Sequence, residues 1–576
     1  MKRRKSLRFL AVALSIVMCI GLIAACGPAA TPAAPGAAPA EPAAPAAPAE
    51  PGAPPALPGE AVPADQVVED TVGIVITPAA DGLLRLEAMG GDASGQFADY
   101  IQVIIDNNNI AVLDPHMPAA GATSTNWILT MIHDRLVQHS VAEGFTPGLA
   151  ESWSTEDYQT YTFNLRQGVT FHNGDPFTAQ DVIWTIERVQ DVGLGSVALD
   201  QWRSVVQMTA IDDFTLELVL EDVDVDFLFG IARPPAGILN RRAIEANSET
   251  GPWVGTGAFS VEQFMTLDYA LLRANPNYWG PTARTDLVRM RFVPEMATRT
   301  IMMQTGDAHL SFGTPADDMQ GFIDSPNFLV FSTTSNDPQG LAFNTNDPIT
   351  GCYYFRRAVL HTIDRPAVAM GAAGQWADGN LADGAFWGKL TEFRNTNIQL
   401  PERNLDLARQ YLERSVYNGE EVTIAAAIIT FIRAAQVVQM QLMEIGINAV
   451  VQEMEAPALA AFATYGGNHQ MVFFFTLINP SAGSARHAFI EGGAQNRATF
   501  SDPRVTQLLD EARRTVDINQ RSAMYQEVQA IVSEGLVYTN VFWRVFGNVA
   551  ANGVGGFIGH PDPAAHDFRN IYMVVG

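Results

Sequence analysis

A strand, a tight turn and a helix are predicted in direct succession between residues 160 and 190, and this order constrains the fold more than any other stretch. In "TYTFNLR" (160–166) apolar residues alternate with polar ones, which is the period of a strand with one buried face. Asn173-Gly174 supplies the positive φ angles of a tight turn. Thr178 and Asp181 have the spacing of a capping box, and apolar residues recur behind them at helical intervals. The stretch predicts an α/β fold.

The same turn brings His172, Asn173 and Asp175 within four residues of one another. Such a cluster can also be a piece of an active site. Here each member has a structural role, because His172 ends the strand on its polar face and Asn173-Gly174 forms the turn. Asp175 then precedes Pro176, which leads into the helix. We therefore predict a turn at this position and no catalytic site.

The rest of the chain supports the α/β class. The apolar run "TIAAAIITFI" (423–432) is interpreted as a buried strand, and a helix closed by Gly446 is predicted after it, followed at once by another strand. Two further helices are predicted to begin at Ser501 and Asn519. Connections between these elements are short.

The N-terminus has the pattern of a targeting signal. Residues 1–8 include five basic side chains. The apolar run that follows is shorter than the about 20 residues that a membrane-spanning helix needs. The run ends in Ile23-Ala24-Ala25-Cys26, which resembles a bacterial lipobox. That resemblance implies that residues 1–25 are a signal peptide and that Cys26 carries lipid; the alternative is an ordinary signal peptide with an incidental cysteine.

Residues 26–98 are interpreted as a tether. Residues 27–65 are almost entirely Ala, Pro and Gly, a composition that cannot bury a core and favours an extended chain. Globular patterning begins near Tyr100. The tether would hold a folded body away from a membrane surface.

Charge and cysteine content exclude several classes of protein. Residues 1–25 carry five basic and no acidic side chains, so their removal changes the net charge from −27 to −32. Such an acidic chain repels phosphate backbones, and nucleic acid is not expected as a partner. After loss of Cys19 with the signal, Cys352 is the one cysteine besides Cys26. No disulfide framework is therefore expected.

A long block of the chain resembles a known family. The block "LAESWSTEDYQTYTFNLRQGVTFHNGDPFTAQDVIWTIER" (149–188) is similar to a signature of ABC-transporter solute-binding proteins of extracellular family 5, which includes oligopeptide-, dipeptide- and nickel-binding proteins. Further similar segments follow in the family's order: 113–137, 254–264, 271–280 with its Asn-Pro-x-Tyr-Trp motif, and 341–365.

The resemblance implies a periplasmic-binding-protein-like fold, with two α/β lobes joined by a hinge and an extra domain. Such a protein captures a solute and delivers it to ABC permease subunits in trans, as a monomer without a cofactor. The expected boundaries are 99–138, 255–345 and 500–576 for lobe I, 139–254 for the extra domain and 346–499 for lobe II.

The sequence departs from the dipeptide binders of this family where they hold the two charged ends of a ligand. Their Gly-Trp-x-x-Asp segment corresponds to 470–483, where Phe475 falls near the Trp position and Asn479 is the nearest polar residue. Their strand arginine has no counterpart before Arg433. A buried ammonium without a carboxylate is costly, so we predict a larger or less charged ligand held by backbone groups and aromatic surfaces.

The ligand-binding candidates are aromatic and amide side chains, and core packing is the alternative for every aromatic among them. They are Asn344, Trp387, Phe475, Asn479, Phe542 and Trp543, with Trp376 and Phe474 also considered. Oligopeptide is the expected ligand class. An oligosaccharide or another neutral solute is the alternative, nickel complexes are less favoured, and a surface receptor without transport is a further possibility.

Enzyme and metal motifs are weak or missing in the sequence. "DVDVD" (222–226) resembles the start of a calcium loop, but Phe227 replaces the glycine and Arg233 the final glutamate. These acids are therefore interpreted as facing solvent. There is no HExxH, GxSxG or Walker sequence, and neither an enzyme nor a metal site is expected.

Overall fold

The computed structural model describes residues 74–76, 83–88, 96–106, 110–117, 123–140, 144–314, 316–374, 381–387, 393–475, 484–560 and 565–575. Residues 68–576 form one compact unit, so the predicted end of the tether at residue 98 is wrong: Leu84 and Leu86 are buried in the same core as Ile101. The predicted signal, Cys26, most of the tether, Trp376 and Asn479 lie outside the described residues, and for Phe475 the backbone alone is described. Across the described ranges, no helix has both the length and the apolar character that crossing a membrane requires.

The strands are β1 Ile74–Ile76, β2 Leu84–Arg85, β3 Gln96–Phe97, β4 Tyr100–Ile105, β5 Val137–Ser140, β6 Gly144–Pro147, β7 Ala150–Ser154, β8 Thr160–Leu165, β9 Val205–Asp212, β10 Thr215–Leu220, β11 Phe259–Met265, β12 Tyr269–Ala274, β13 Leu287–Phe292, β14 Leu310–Phe312, β15 Phe328–Phe343, β16 Val422–Ala426, β17 Ala449–Glu453, β18 Met471–Phe475, β19 Tyr538–Ala551, β20 Val554–Gly555, β21 Ile558–Gly559 and β22 Tyr572–Val575.

The helices are α1 Thr123–Ile132, α2 Ala179–Gln190, α3 Leu199–Trp202, α4 Phe227–Ile231, α5 Arg241–Ala246, α6 Met296–Thr305, α7 Ala316–Ile323, α8 Tyr353–Thr362, α9 Arg365–Ala373, α10 Leu405–Glu413, α11 Ile429–Met443, α12 Ala456–Phe462, α13 Ser484–Phe489, α14 Pro503–Arg514 and α15 Ile518–Glu534.

One large mixed sheet organises the described chain. Its strand order is β11-β12-β13-β4-β14-β19-β15-β18-β16-β17, with β1 paired to β15. The long strands β15 and β19 are antiparallel neighbours from the pair Phe328–Ala551 to the pair Ala342–Tyr538. Their register shifts between Thr334 and Pro338 and again between Gln339 and Gly340. The fold is α/β and periplasmic-binding-protein-like, as the sequence predicts.

Separate apolar clusters lie along this sheet. At one end β4, β11–β13 and α1 share a core with Phe557 and Phe568. At the other end Leu341 and Phe343 pack with α8, α9 and α11, and Ala342 packs on the opposite face with Trp387 and Phe474. The two long strands therefore connect the cores at the two ends of the sheet.

A second sheet, β7-β8-β10-β9, covers its own core together with α2 and α4. The predicted strand–turn–helix is confirmed, since β8 ends at Leu165, Gly174 has φ 87° and Thr178 with Asp181 forms a capping box on α2. His172 is a structural residue, because its ring bonds Gly255 N at 3.2 Å and Gly257 O at 3.1 Å.

Two local predictions are wrong. The predicted strand over 423–432 ends at Ala426, and α11 begins at Ile429. The run of β-branched residues favours a strand when only the sequence is considered. In the structure it enters a helix, in which Phe431, Ala434, Ala435 and Val438 lie on one buried face. Farther on, the cap of α14 is Asp502 and not Ser501, since its carboxylate accepts from Arg504 N and Val505 N.

The helices α14 and α15 pack with residues predicted for lobe II. Val505, Leu508 and Tyr525 belong to the cluster that contains Trp387 and Phe474. We therefore describe these helices with that cluster, although the prediction placed the whole of 500–576 in lobe I.

Candidate functional site

The candidate site lies where β15, β18 and β19 meet at the carboxyl end of β18. Gln339 on β15 is paired with Phe475 on one side and with Phe542 on the other. The next pair along the two long strands is Pro338 with Trp543. Three of the predicted residues, Phe475, Phe542 and Trp543, are therefore brought to adjacent positions around one glutamine.

Gln339 is the polar centre of this region. Its side chain is 0% exposed, and neither Oε1 nor Nε2 has a hydrogen-bond partner among the residues that the structure describes. A buried amide without partners costs about 1–3 kcal/mol for each unsatisfied group, so native proteins rarely keep one without a purpose. Gln339 is therefore a buried amide whose donor and acceptor are both unused within the described residues.

Trp543 adds a second unpaired donor. The side chain is buried, and its Nε1 has no hydrogen-bond partner in the described ranges. The guanidinium of Arg394 lies 5.3 Å from the ring centroid. That charge is balanced, because Arg394 forms an ion pair with Asp383 and also donates to Trp387 O at 3.2 Å. The described charges beside Trp543 are thus paired with each other.

The segment 381–387 lies along β19. Leu381 forms a bridge with Phe542, and Ala382 N donates to Val541 O at 3.0 Å. Asn540 Nδ2 donates to Ala385 O at 2.9 Å. The segment is held to the strand by backbone bonds and ends in the predicted residue Trp387.

Two of the predicted aromatics are also packed into apolar clusters. Trp387 is fully buried, with its ring 5.4 Å from that of Tyr525 and its Nε1 without a partner. Phe542 is buried with α9 and α11 in the cluster of Leu341. Both side chains therefore take part in core packing.

Asn344 lies at the other end of β18. Its backbone N–H donates to Gln470 O at 2.9 Å, whereas Gln339 pairs with the last residue of the strand. Gln339 and Asn344 are five residues apart, which corresponds to about 17 Å along an extended strand. The Asn344 side chain donates to Gly467 O at 2.9 Å and to His469 O at 2.7 Å, and it accepts from Thr499 Oγ1. These bonds tie three chain segments together.

Sequence reasoning missed Ile428, which follows β16. This strand is parallel to β18, so the carboxyl ends of both strands lie at the same edge. Ile428 has φ 70° and is 42% exposed, and the next residue, Ile429, is 56% exposed. A β-branched residue in the left-handed region is strained, and such strain tends to occur at functional sites. Sequence carries no signal for this backbone angle.

Gln339 and Arg394 were also missed. A lone glutamine in "DPQGLAF" could have been noticed as a polar residue entering an apolar strand. For Arg394 there is no such signal, since its role depends on Asp383 and Trp543 being close in space. Within the described ranges, no group of three or more His, Cys, Asp or Glu side chains is arranged to hold a metal ion.

Comparisons with known proteins bear on the family and on the fold. Residues 144–493 match the family model described as bacterial extracellular solute-binding proteins, family 5 Middle. The glutathione-binding protein GsiB of Escherichia coli (strain K12) is 25% identical over 457 residues, 76% of this chain and 88% of that protein. The nickel-binding periplasmic protein of the same organism is 23% identical, over 75% and 86%.

Among solved structures, the ABC transporter-associated periplasmic binding protein DppA from Helicobacter pylori, in complex with the peptide STSA, superposes with a TM-score of 0.72. The two chains are 22% identical, and the match covers 83% of this chain and 99% of the other. This likeness shows the same fold.

Proposed function

We propose, from the premise that this chain belongs to the bacterial extracellular solute-binding proteins of family 5, that it captures an oligopeptide outside the cytoplasmic membrane and delivers it to an ABC import permease. Proteins of this family bind solutes for ABC import and are not enzymes, and the same holds for this chain. The ligand, its site and the anchoring of the protein are the parts that we propose.

The observation that carries the proposal is the unpaired amide of Gln339 in a region whose described charges are paired. A peptide bond offers one donor and one acceptor, which matches the side chain of a glutamine. The Nε1 donors of Trp387 and Trp543 can serve further carbonyl groups. Two comparisons support a peptidic ligand, since one relative is named for glutathione and one similar structure holds the peptide STSA.

A neutral oligosaccharide is the second candidate. Sugar hydroxyls can also bind to indole N–H donors. A neutral sugar needs no charged side chain to hold it, so a site whose described charges are paired suits a sugar as well as a peptide. Asn479 and the side chain of Phe475 remain candidates for contact with either ligand.

Capture is proposed to proceed by closure of two lobes about β15 and β19. The lobes and the extra domain follow the boundaries predicted from the family, except that α14 and α15 move with the cluster of Trp387. Asn344 would act at the end of β15 by holding the segments that follow the hinge.

The experiment that tests the ligand class is native mass spectrometry of the gently purified protein, followed by thermal melting with each candidate. A bound ligand raises stability by RT ln(1 + [L]/Kd), so a true ligand shifts the melting temperature. Peptide masses and melting shifts with peptides support the proposal. Hexose-spaced masses, or shifts with sugars alone, would replace it with the second candidate.

Lipid attachment at Cys26 is proposed as the means of anchoring. Mass spectrometry of the N-terminal peptide should show Cys26 as the first residue, with acyl chains attached. The variant Cys26→Ser should be recovered outside the membrane fraction, whereas Cys352→Ser should stay in it. Equal membrane recovery of all three proteins would contradict lipid anchoring.

A further inference from the structure

A strap of alternating aspartates, residues 222–226, follows β10 and faces arginines of α14 and α15. The sequence predicted that these acids face solvent, and the structure contradicts this for Asp224 and Asp226, which are each 7% exposed. The strap is not a calcium loop, because its buried carboxylates are directed at arginines.

Three ion pairs and one backbone bond join the strap to the two helices. Asp224 Oδ2 lies 2.7 Å from Arg513 Nη2, and Asp226 Oδ1 lies 3.4 Å from Arg521 Nη1. The third pair joins Asp222 to Arg514. Between them, the backbone N–H of Val225 donates to Arg513 O at 3.1 Å.

The strap is held in shape by the domain that carries it. Asp224 N donates to Tyr158 O at 3.0 Å, and the Tyr161 hydroxyl donates to Asp224 O at 3.2 Å. Asp224 Oδ1 accepts from Asp226 N at 3.1 Å. Because these bonds fix the carboxylates before the arginines arrive, little conformational entropy is lost when the pairs form.

The pairs connect two different apolar cores. The strap leads into Phe227, which packs with Tyr161 and Phe163. The arginines lie on helices that pack with Trp387 and Phe474, and these two clusters have no member in common. A further pair crosses the same boundary, since His487 Nε2 lies 3.3 Å from Asp200 Oδ2.

The arginine side of the boundary depends on these counter-ions. Burial lowers the pKa of Arg486, and the positive charges of Arg513 and Arg514 on the same side of the boundary lower it further. Withdrawal of the strap would leave this group of like charges without the aspartates that balance Arg513 and Arg514. Separation of the two cores at this boundary therefore costs electrostatic energy.

We propose that the aspartate strap and the arginines of α14 and α15 form an ionic latch that closes the extra domain onto the second lobe and stabilises the ligand-enclosing arrangement. The latch rests on the lobe closure of the proposed function. It adds a contact made outside the ligand site, so closure is favoured by ion pairs as well as by ligand. High salt weakens it, because part of its surface is exposed to solvent.

Hydrogen exchange at the Val225 amide tests the latch in the full chain without any ligand. This amide is protected by a bond that crosses the boundary, so its exchange reports separation of the two cores. The variant Arg513→Gln should raise its exchange rate by about threefold to tenfold, the range expected for a partly buried ion pair. Addition of salt to the unmodified protein should raise the rate in the same direction.

The matched control is Arg504→Gln on the same helix. Arg504 pairs with Glu527 of α15 at 2.8 Å, within one core and half exposed. This variant should leave Val225 exchange unchanged. An equal effect of both variants, or no effect of Arg513→Gln, would overturn the latch.

The radius of gyration, measured by small-angle scattering, distinguishes a latch that can open from an interface that stays closed. If the pairs hold the closed arrangement, Arg513→Gln increases the radius of gyration, and the charge swap of Asp224→Arg with Arg513→Asp restores it in part. Faster Val225 exchange at a constant radius would mean a local contact and would overturn the proposal. The proposed function would fail separately if the protein carried and bound no solute. Val225 exchange and the radius of gyration would then still respond as the latch predicts.

Discussion

At the scale of single residues, buried glutamines differ in whether their side chains form hydrogen bonds within the described part of the protein. Gln529 is as buried as Gln339, at 0% exposure. Its Oε1 accepts from Phe386 N and Asn395 N, and its Nε2 donates to Phe393 O at 2.7 Å. The same type of side chain is therefore bonded at one buried position and unbonded, within the described residues, at the other.

This contrast predicts different costs for the same substitution. Gln529→Met should lower the free energy of unfolding by about 3 kcal/mol, because it leaves several buried backbone groups without partners. Gln339→Met should change it by less than about 1 kcal/mol, since no bond within the protein is lost. Denaturant unfolding of the ligand-free protein measures both.

Gln339→Met should also remove the melting shift given by the ligand. A large destabilisation by this variant, or an unchanged ligand shift, would show that Gln339 has a structural role instead.

Asn344 is predicted to be structural first. Asn344→Ala should lower the free energy of unfolding by about 3 kcal/mol, because Gly467 O, His469 O and Thr499 Oγ1 all lose their partner. The exposed neighbour variant Asn346→Ala should stay within about 0.5 kcal/mol. Loss of the ligand shift at unchanged stability would instead place Asn344 in contact with the ligand.

At the scale of elements, the junction of β16 and α11 stores backbone strain. Ile428 caps the helix in the left-handed region, where a β-branched residue costs about 1–3 kcal/mol. Ile428→Gly should therefore leave the free energy of unfolding unchanged or raise it by about 1 kcal/mol, despite the entropy cost of glycine.

The matched variant is Ile429→Gly, one residue farther on and within the helix. It should lower the free energy of unfolding by about 1 kcal/mol, because glycine is a poor helix former. Thermal unfolding of both variants compares them directly. Equal destabilisation would mean that the junction is not strained.

At the scale of the whole molecule, buried histidines make stability depend on pH. Burial lowers the pKa of His116, His133 and His566 to about 3. These rings stay neutral in the folded protein, while the unfolded chain binds protons below a pKa of about 6.5. Stability is therefore complete above pH 6.5 and is lost as the pH falls towards 3.

Each of these histidines should remove about 2 kcal/mol between pH 7 and pH 5. His133→Leu should flatten the pH dependence by that amount, because leucine cannot bind a proton in either the folded or the unfolded state. Unfolding free energies measured at the two pH values test this. Parallel pH curves for the variant and the unmodified protein would contradict it.

The sequence by itself determined the class of fold, the family and the local elements. Apolar alternation predicted β8, the capping box predicted the start of α2, and a glycine predicted the end of α11. Each of these signals depends on residues only a few positions apart, so the sequence contains it. The long block at 149–188 led to the family for the same reason: its pattern is contained in one continuous segment.

The tertiary structure alone decided which polar groups are paired and which are not. The sequence around residue 222 does not predict contact with Arg513 or Arg514. The sequence around Gln339 does not predict that Phe542 and Trp543 lie beside it. Those contacts join residues hundreds of positions apart, and their energies depend on burial and distance rather than on residue type. The residues beside Gln339 and the ion pairs of the aspartate strap could therefore be identified only in the folded chain.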